Sequence, residues 1–313
     1  MTPKRLATYI ERIKEANQQS SQNLPRPFNN DTATQPPLLK PGVNRILLYP
    51  GSFNPPHLGH FNLLKHVFYN AGGDLQLRAA IIINTDDERL GIKMKRKGTG
   101  IVLPRERRAN LWRGNSTADW VWVYDNTEAS WPEFRNKLVS EVKKDGIDLR
   151  CILLFGPDAI TAEGGYNPEC WDCGDAITCD TELIAHKDRL RYEQGLRARA
   201  QENGGASEEA LKVHLDHIYS ISICRQSRVK PKGTVRFIPC DLDKRPTNPP
   251  SCTKIRQVIE NSPHEEWEKK LQGVVLNPSL FIQYLKELPP IKHKNPTEPK
   301  EFKETKDDLA KRN

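Results

Sequence analysis

No run in this chain of 313 residues approaches the roughly 18 apolar residues of a membrane span, and the N-terminus lacks the apolar core of a secretory signal. Both absences point to an intracellular protein, cytoplasmic or nuclear, with no membrane partner. Seven cysteines, an odd number without dense or regular spacing, read as reduced thiols rather than a disulfide framework. Neither of the usual glycine-rich phosphate loops is present, since G-x-x-x-x-G-K-[ST] and G-x-G-x-x-G are both missing. There is no internal repeat and no single arginine-rich block. Basic residues do exceed acidic ones, for a net charge of +8 and a pI near 9.0. That excess suits nucleic acid, anionic lipid or small phosphorylated ligands alike, so charge alone names no partner and no specific nucleic-acid binding is expected.

What is present reads as one α/β domain between two polar tails. Residues 1–44 are rich in Gln, Asn, Thr and Pro, and residues 289–313 mix Lys, Glu and Pro. Both are expected to be mobile, apart from a short helix suggested by the spacing of Leu6, Tyr9, Ile10 and Ile13. Between them, across residues 45–288, apolar runs ("RILLYP", "LRAAIIIN", "WVWVY", "LRCILLF", "HIYSISI", "VRFIP") alternate with segments of helical spacing. Continuous apolar strands alternating with amphipathic helices predict a Rossmann-like, doubly wound parallel sheet covered on both faces. The polar stretch 187–215 reads as an insertion in it.

Ligands of such sheets lie at the carboxyl ends of the strands. "PGSFNPPHLGH" follows the first strand and so falls at that crevice. Gly51 lets the backbone come close to a ligand. Pro55 and Pro56 stiffen the approach to a helix beginning near Leu58, which places His57 at its start and His60 one turn on, at the positive end of the helix dipole. Two imidazoles there can donate hydrogen bonds to phosphate oxygens. They could also be satisfied turn residues, or half of a metal site, although zinc wants a third ligand and none is evident nearby. In "SCTKIRQVIE", Ser251 and Thr253 are N-cap residues and Arg256 adds a forked cation in the first turn.

"GSFNPPHLGH" resembles the G-x-F-x-P-x-H-x-G-H signature of the nucleotidylyltransferase superfamily, and "SCTKIR" resembles its S-x-T-x-x-R signature. Further segments look like eukaryotic-type nicotinamide mononucleotide adenylyltransferases. These are the lysine-rich loop and Arg-bearing helix of "KMKRKGTGIVLPRERRANLW", the substrate loop "WVWVYDNTEASWPEF", the G-x-D element "LLFGPDAI", Trp171 as a ring-stacking residue, and "SICRQS". The resemblance implies an adenylyltransferase that moves AMP from ATP, with Mg2+, onto nicotinamide or nicotinate mononucleotide by in-line displacement. It assigns His57, His60 and Arg256 to catalysis. Gly51, Ser52, Phe53, Lys95, Lys97, Gly156, Asp158, Ser251 and Thr253 would bind ATP, and Asn54, Glu128 and Trp171 the acceptor. No protein side chain is implied as a metal ligand.

Two features depart from that pattern. Thr127 precedes Glu128 where the family carries tryptophan, and "HLGH" has the bacterial glycine where eukaryotic members carry methionine. The first leaves open a related reading, transfer of AMP or CMP to another phosphate ester; Trp122 or Trp131 could compensate for the missing ring. A nucleotide-binding regulatory protein without turnover is a further alternative. Cys170, Cys173 and Cys179 with His186 could bind zinc, but the spacing is irregular and reduced loop thiols are the plainer reading.

Overall fold

The computed structural model describes residues 3–16, 26–29, 36–113, 119–156, 168–179, 222–225, 233–238 and 249–288. The centre is a sheet of seven strands: β3 (Gly42–Gly51), β4 (Leu77–Asn84), β5 (Val121–Val123), β6 (Ile147–Leu154), β7 (Asp175–Cys179), β8 (Ser222–Arg225) and β9 (Thr234–Ile238). Their order is β5-β4-β3-β6-β7-β9-β8. Every neighbouring pair is parallel except β8 with β9. The chain therefore winds outward from β3 through β4 to β5, then returns to the other side of β3 with β6. That reversal opens a crevice between the carboxyl ends of β3 and β6.

Alternation along the strands divides the core between the two faces. Ile46 and Leu48 of β3 pack with Ile81 and Ile83 of β4 on one face, while Leu47 and Tyr49 pack with Ala80 and Ile82 on the other. The second face is covered by α2 (Leu58–Asn70), through Leu63, Leu64 and Val67, and by α4 (Arg105–Arg113), through Ala109 and Trp112. On the first face lies α5 (Trp131–Lys143), which buries Trp131, Phe134, Leu138 and Val142. A third cluster joins Ile101, Leu103 and Leu111 to α6 (Cys252–Asn261), α7 (His264–Leu271) and α8 (Pro278–Lys286).

Three expectations need correction. The N-terminal segment is not a mobile extension at residues 3–16. Helix α1 (Leu6–Ala16) buries Leu6, Ala7, Tyr9, Ile10 and Ile13 in the first-face core. The Tyr9 hydroxyl donates to Asp145 at 2.5 Å, and β1 (Lys4–Arg5) pairs antiparallel with β2 (Leu38–Leu39). The apolar stripe was legible; what it would pack against was not. The lysine-rich "loop" is helix α3 (Asp87–Arg96), with acidic residues in its first turn and basic ones in its last. Finally, "DAITC" is the fully engaged strand β7, so Cys179 is no loop thiol. The expected insertion at 187–215 and tail at 289–313 lie outside the described residues.

Candidate active site

A cavity of about 340 Å³ opens at the crevice, lined by the first motif, the second motif, Lys93 of α3 with Lys97 at its C-cap, and Phe155 and Gly156 just past β6. Its described lining holds Lys93, Lys97, Arg256 and two histidines, and no carboxylate. Such a lining selects an anion.

The first motif is built by steric and hydrogen-bonding necessity. Gly51 does not adopt positive φ; a Cβ there would lie 2.5 Å from the Phe53 ring. The glycine is required because Phe53, itself at φ 41°, folds back over the strand end. His57 caps α2. The His57 Nδ1 accepts the His60 main-chain N–H at 3.4 Å, and the His60 Nδ1 accepts the His57 N–H at 3.3 Å. The two rings stack with centroids 3.6 Å apart. Since each Nδ1 is an acceptor, a neutral ring carries its proton on Nε2. Burial pushes the His57 imidazolium pKa down to about 3. His60 is held well below the ordinary histidine range by burial first, then by His57 and Lys93. Both rings are thus neutral N–H donors. Val274 and Leu276 pin the turn from below, the former accepting from Leu58 N at 2.9 Å and the latter donating to Pro56 O at 3.3 Å.

The second motif meets the first across the cleft. Ser251 caps α6, accepting from Lys254 N at 3.2 Å. Arg256 is buried and donates to Asn54 O at 2.6 Å and to Thr253 Oγ1 at 3.2 Å, tying the two motifs together. Gly59 allows that approach, because a Cβ there would stand 3.2 Å from Pro250 O and 3.0 Å from the His57 ring. Lys93 donates to Ser52 Oγ at 2.9 Å.

Placement of the other expected residues is mixed. Lys97 lines the cavity, whereas Lys95 does not; α3 brings positions 93 and 97 to one side, so Lys93 is the residue that the reading of Lys95 or Lys97 passed over. Helical spacing of Leu90 and Met94 was the signal that could have found it. Asn54 is buried, but its side chain is spent on the strap at Ile101–Leu103, donating to Ile101 O at 2.7 Å and accepting from Leu103 N at 2.9 Å. Trp171 packs against the first-face core, and neither it nor Glu128 lines the described cavity. Asp158 and His186 lie outside the described residues. Arg108 was missed altogether. It is fully buried, and it donates to Leu103 O at 2.9 Å, Ser52 O at 2.9 Å, Thr85 O at 2.7 Å and Asp87 Oδ1 at 2.7 Å.

Two groups of side chains bear on metal ligation. Cys173 belongs to one face of the sheet and Cys179 to the other, so those thiols cannot share an ion. The histidine pair does have a third neighbour, contrary to expectation: Cys252 Sγ lies 3.9 Å from His60 Nε2, and one donor atom from each of the three falls within 4.8 Å of the others. Their hydrogen bonding argues against an ion, because each Nδ1 takes a main-chain N–H and the nitrogen left to face the cavity bears a proton rather than a lone pair. Magnesium, a hard cation that prefers oxygen, finds no carboxylate among the described lining residues.

Fold and cleft together define an α/β protein with a cation-lined cavity at the topological switch point of its sheet. Residues 48–169 match the cytidylyltransferase-like family model. The two motifs that resemble the nucleotidylyltransferase signatures face each other across one cleft, the first of them inside the matched residues. No curated protein sequence matches it. Among solved structures it is similar to a protein from Vibrio parahaemolyticus assigned as a nicotinate-nucleotide adenylyltransferase, at 14% identity and TM-score 0.29, covering 52% of this chain and 90% of that one. It is also similar to the Plasmodium falciparum nicotinic acid mononucleotide adenylyltransferase complexed with APC, at 11% identity and TM-score 0.37, covering 78% and 96%. At those values the likenesses carry no argument about substrate. Among the described residues no helix is long and apolar enough to cross a membrane.

Proposed function

We propose that the protein is an adenylyltransferase that transfers AMP from MgATP to nicotinamide or nicotinate mononucleotide. The observation that carries the reading is the pairing of two neutral, Nε2-protonated histidines, His57 buried and His60 half-buried, with Lys93, Lys97 and Arg256 in a cavity whose described lining has no carboxylate. The pyridine mononucleotide as acceptor rests on the sequence resemblance.

An acceptor phosphate oxygen attacks the α-phosphorus in line; the new P–O bond forms as the bond to the β-phosphate oxygen breaks, and pyrophosphate leaves. Magnesium enters with the triphosphate as part of the substrate and neutralises its charge. His57 and His60 donate Nε2–H to the α-phosphate oxygens as charge builds there. Ser251, Thr253, Arg256 and the first amides of α6 hold the β- and γ-phosphates, where a helix N-terminus favours anions. Lys93 and Lys97 close the pyrophosphate side from α3. Gly51, Ser52 and Phe53 line the nucleotide, and Gly156 approaches its sugar; the role of Asp158 there rests on the sequence resemblance alone. Glu128 belongs to the acceptor side. The Asn84 amide at the end of β4 and Glu128 Oε2 in the loop after β5 are among the buried polar groups that lack a hydrogen-bond partner among the described residues.

The test is pyrophosphate release from MgATP with and without nicotinamide mononucleotide, the product identified by mass. A dinucleotide supports the reading; no product with bound ATP refutes the acceptor. His57→Ala should then lower turnover about 10²- to 10³-fold. A second reading, transfer of AMP or CMP to another phosphate ester, is favoured by Thr127, which is exposed where an aromatic ring would stack. A panel of acceptors with ATP and CTP separates the two.

A further inference from the structure

Asp125 opens the loop that carries Thr127 and Glu128, and its side chain is only 5% exposed. Its two carboxylate oxygens are taken by cations from different elements: Lys14 of α1 pairs with Oδ2, and Arg113 at the end of α4 holds Oδ1 at 2.6 Å. Arg105, at the start of α4, donates to the carbonyl oxygens of Asp125 at 2.6 Å and Asn126 at 2.8 Å. Asp86 grips the far end, accepting from Glu128 N at 2.8 Å and Ala129 N at 3.2 Å. The loop is therefore clamped from both ends.

Lys14 stands apart in this clamp because it lies outside residues 48–169, in a helix seated independently by its buried apolar stripe. Its ammonium sits 5.4 Å from the centroid of Trp122, on the strand that leads into the loop. A charge so enclosed interacts with its partner through low dielectric, and holding an oxygen of Asp125 restricts the backbone that follows. The loop carries Glu128, the residue proposed above for the acceptor side. One oxygen of Glu128 meets Arg89 at 2.6 Å, while Oε2 is buried without a partner among the described residues, an acceptor matched to a donor group on a ligand.

We infer that Lys14 is a positioning residue for the acceptor, with α1 forming part of the acceptor subsite's scaffold through the Lys14–Asp125 pair. The inference rests on the adenylyl-transfer reading above. Lys14 touches neither reactant; it sets the placement of Glu128 by fixing the loop three residues earlier, at Asp125. The nucleotide side of the cleft, built on β3, α2 and α6, does not depend on it.

Lys14→Met keeps the stem packed on Trp122 and removes only the charge; Lys14→Arg restores the charge. In steady-state kinetics with nicotinamide mononucleotide and MgATP, Lys14→Met should raise the KM for the mononucleotide about tenfold and leave that for MgATP within about twofold, as expected of a displaced positioning group. Amide hydrogen exchange across 125–131 should speed up in Lys14→Met and return to the wild-type rate in Lys14→Arg. Unchanged exchange, or equal rises in both KM values, overturns the inference. If wild-type protein forms no dinucleotide, the functional reading fails by itself, and exchange together with mononucleotide binding by calorimetry in the two variants still decides whether Lys14 holds the loop for a ligand.

Discussion

His57 and His60 cap one another: each Nδ1 accepts the other's main-chain N–H, at 3.4 and 3.3 Å, and their rings stack 3.6 Å apart. The capping box at the start of α2 thus fixes the tautomer of both rings. Local helix capping and the choice of tautomer are one arrangement here, because the hydrogen bonds that satisfy the helix end also dictate which nitrogen carries the proton.

A pH dependence follows, with a definite sign. Burial lowers the His57 pKa to about 3 and holds His60 well below the ordinary value, whereas both titrate near 6.5 in the unfolded chain. Below about pH 6.5 the unfolded state binds more protons, so stability should fall as pH drops from about 6.5 toward 3 and be fully present above that window. Urea unfolding at a series of pH values measures it. His60→Asn should flatten the slope, and turnover in the wild type should show no inflection near 6.5.

Gly59→Ala should cost activity far more than stability. Alanine favours a helix over glycine by about 1 kcal/mol, which offsets part of the clash. Yet the new Cβ would meet the His57 ring at 3.0 Å and Pro250 O at 3.2 Å, displacing the first motif from the second. We expect turnover to fall about 10²-fold with a melting temperature close to wild type, read by parallel kinetics and thermal unfolding.

Arg108→Met removes the donors that meet three carbonyl oxygens and Asp87 while keeping most of the stem. Leaving buried acceptors unmatched should destabilise the protein by about 3 kcal/mol, measured by chemical denaturation. Burial lowers the pKa of this guanidinium, opposed by its bond to Asp87. Arg108→Lys should recover only part of the loss, because one ammonium cannot span contacts on Ser52, Thr85 and Leu103.

The lysines of α3 should separate by position. Lys93, bonded to Ser52, should lose about 10- to 100-fold in turnover as Lys93→Met. Lys95→Met should stay within about twofold, as for an ordinary surface charge. Equal effects would place both side chains on the triphosphate and contradict the helical geometry.

Local chemistry was legible in the sequence alone. Buried strands announced themselves as continuous apolar runs, most clearly in "LRAAIIIN", which is strand β4 from its first residue to its last. Ser251 and His57 were readable as cap positions because a helix start is decided within four residues. Tertiary structure decided the rest. Cys252 meets His60 across 192 positions, Arg256 meets Asn54 across 202, and Lys14 meets Asp125 across 111. No periodicity encodes such pairs. They exist because the reversal of winding between β3 and β6 brings distant strand ends to one crevice, and because an apolar stripe at the N-terminus found a sheet face to cover.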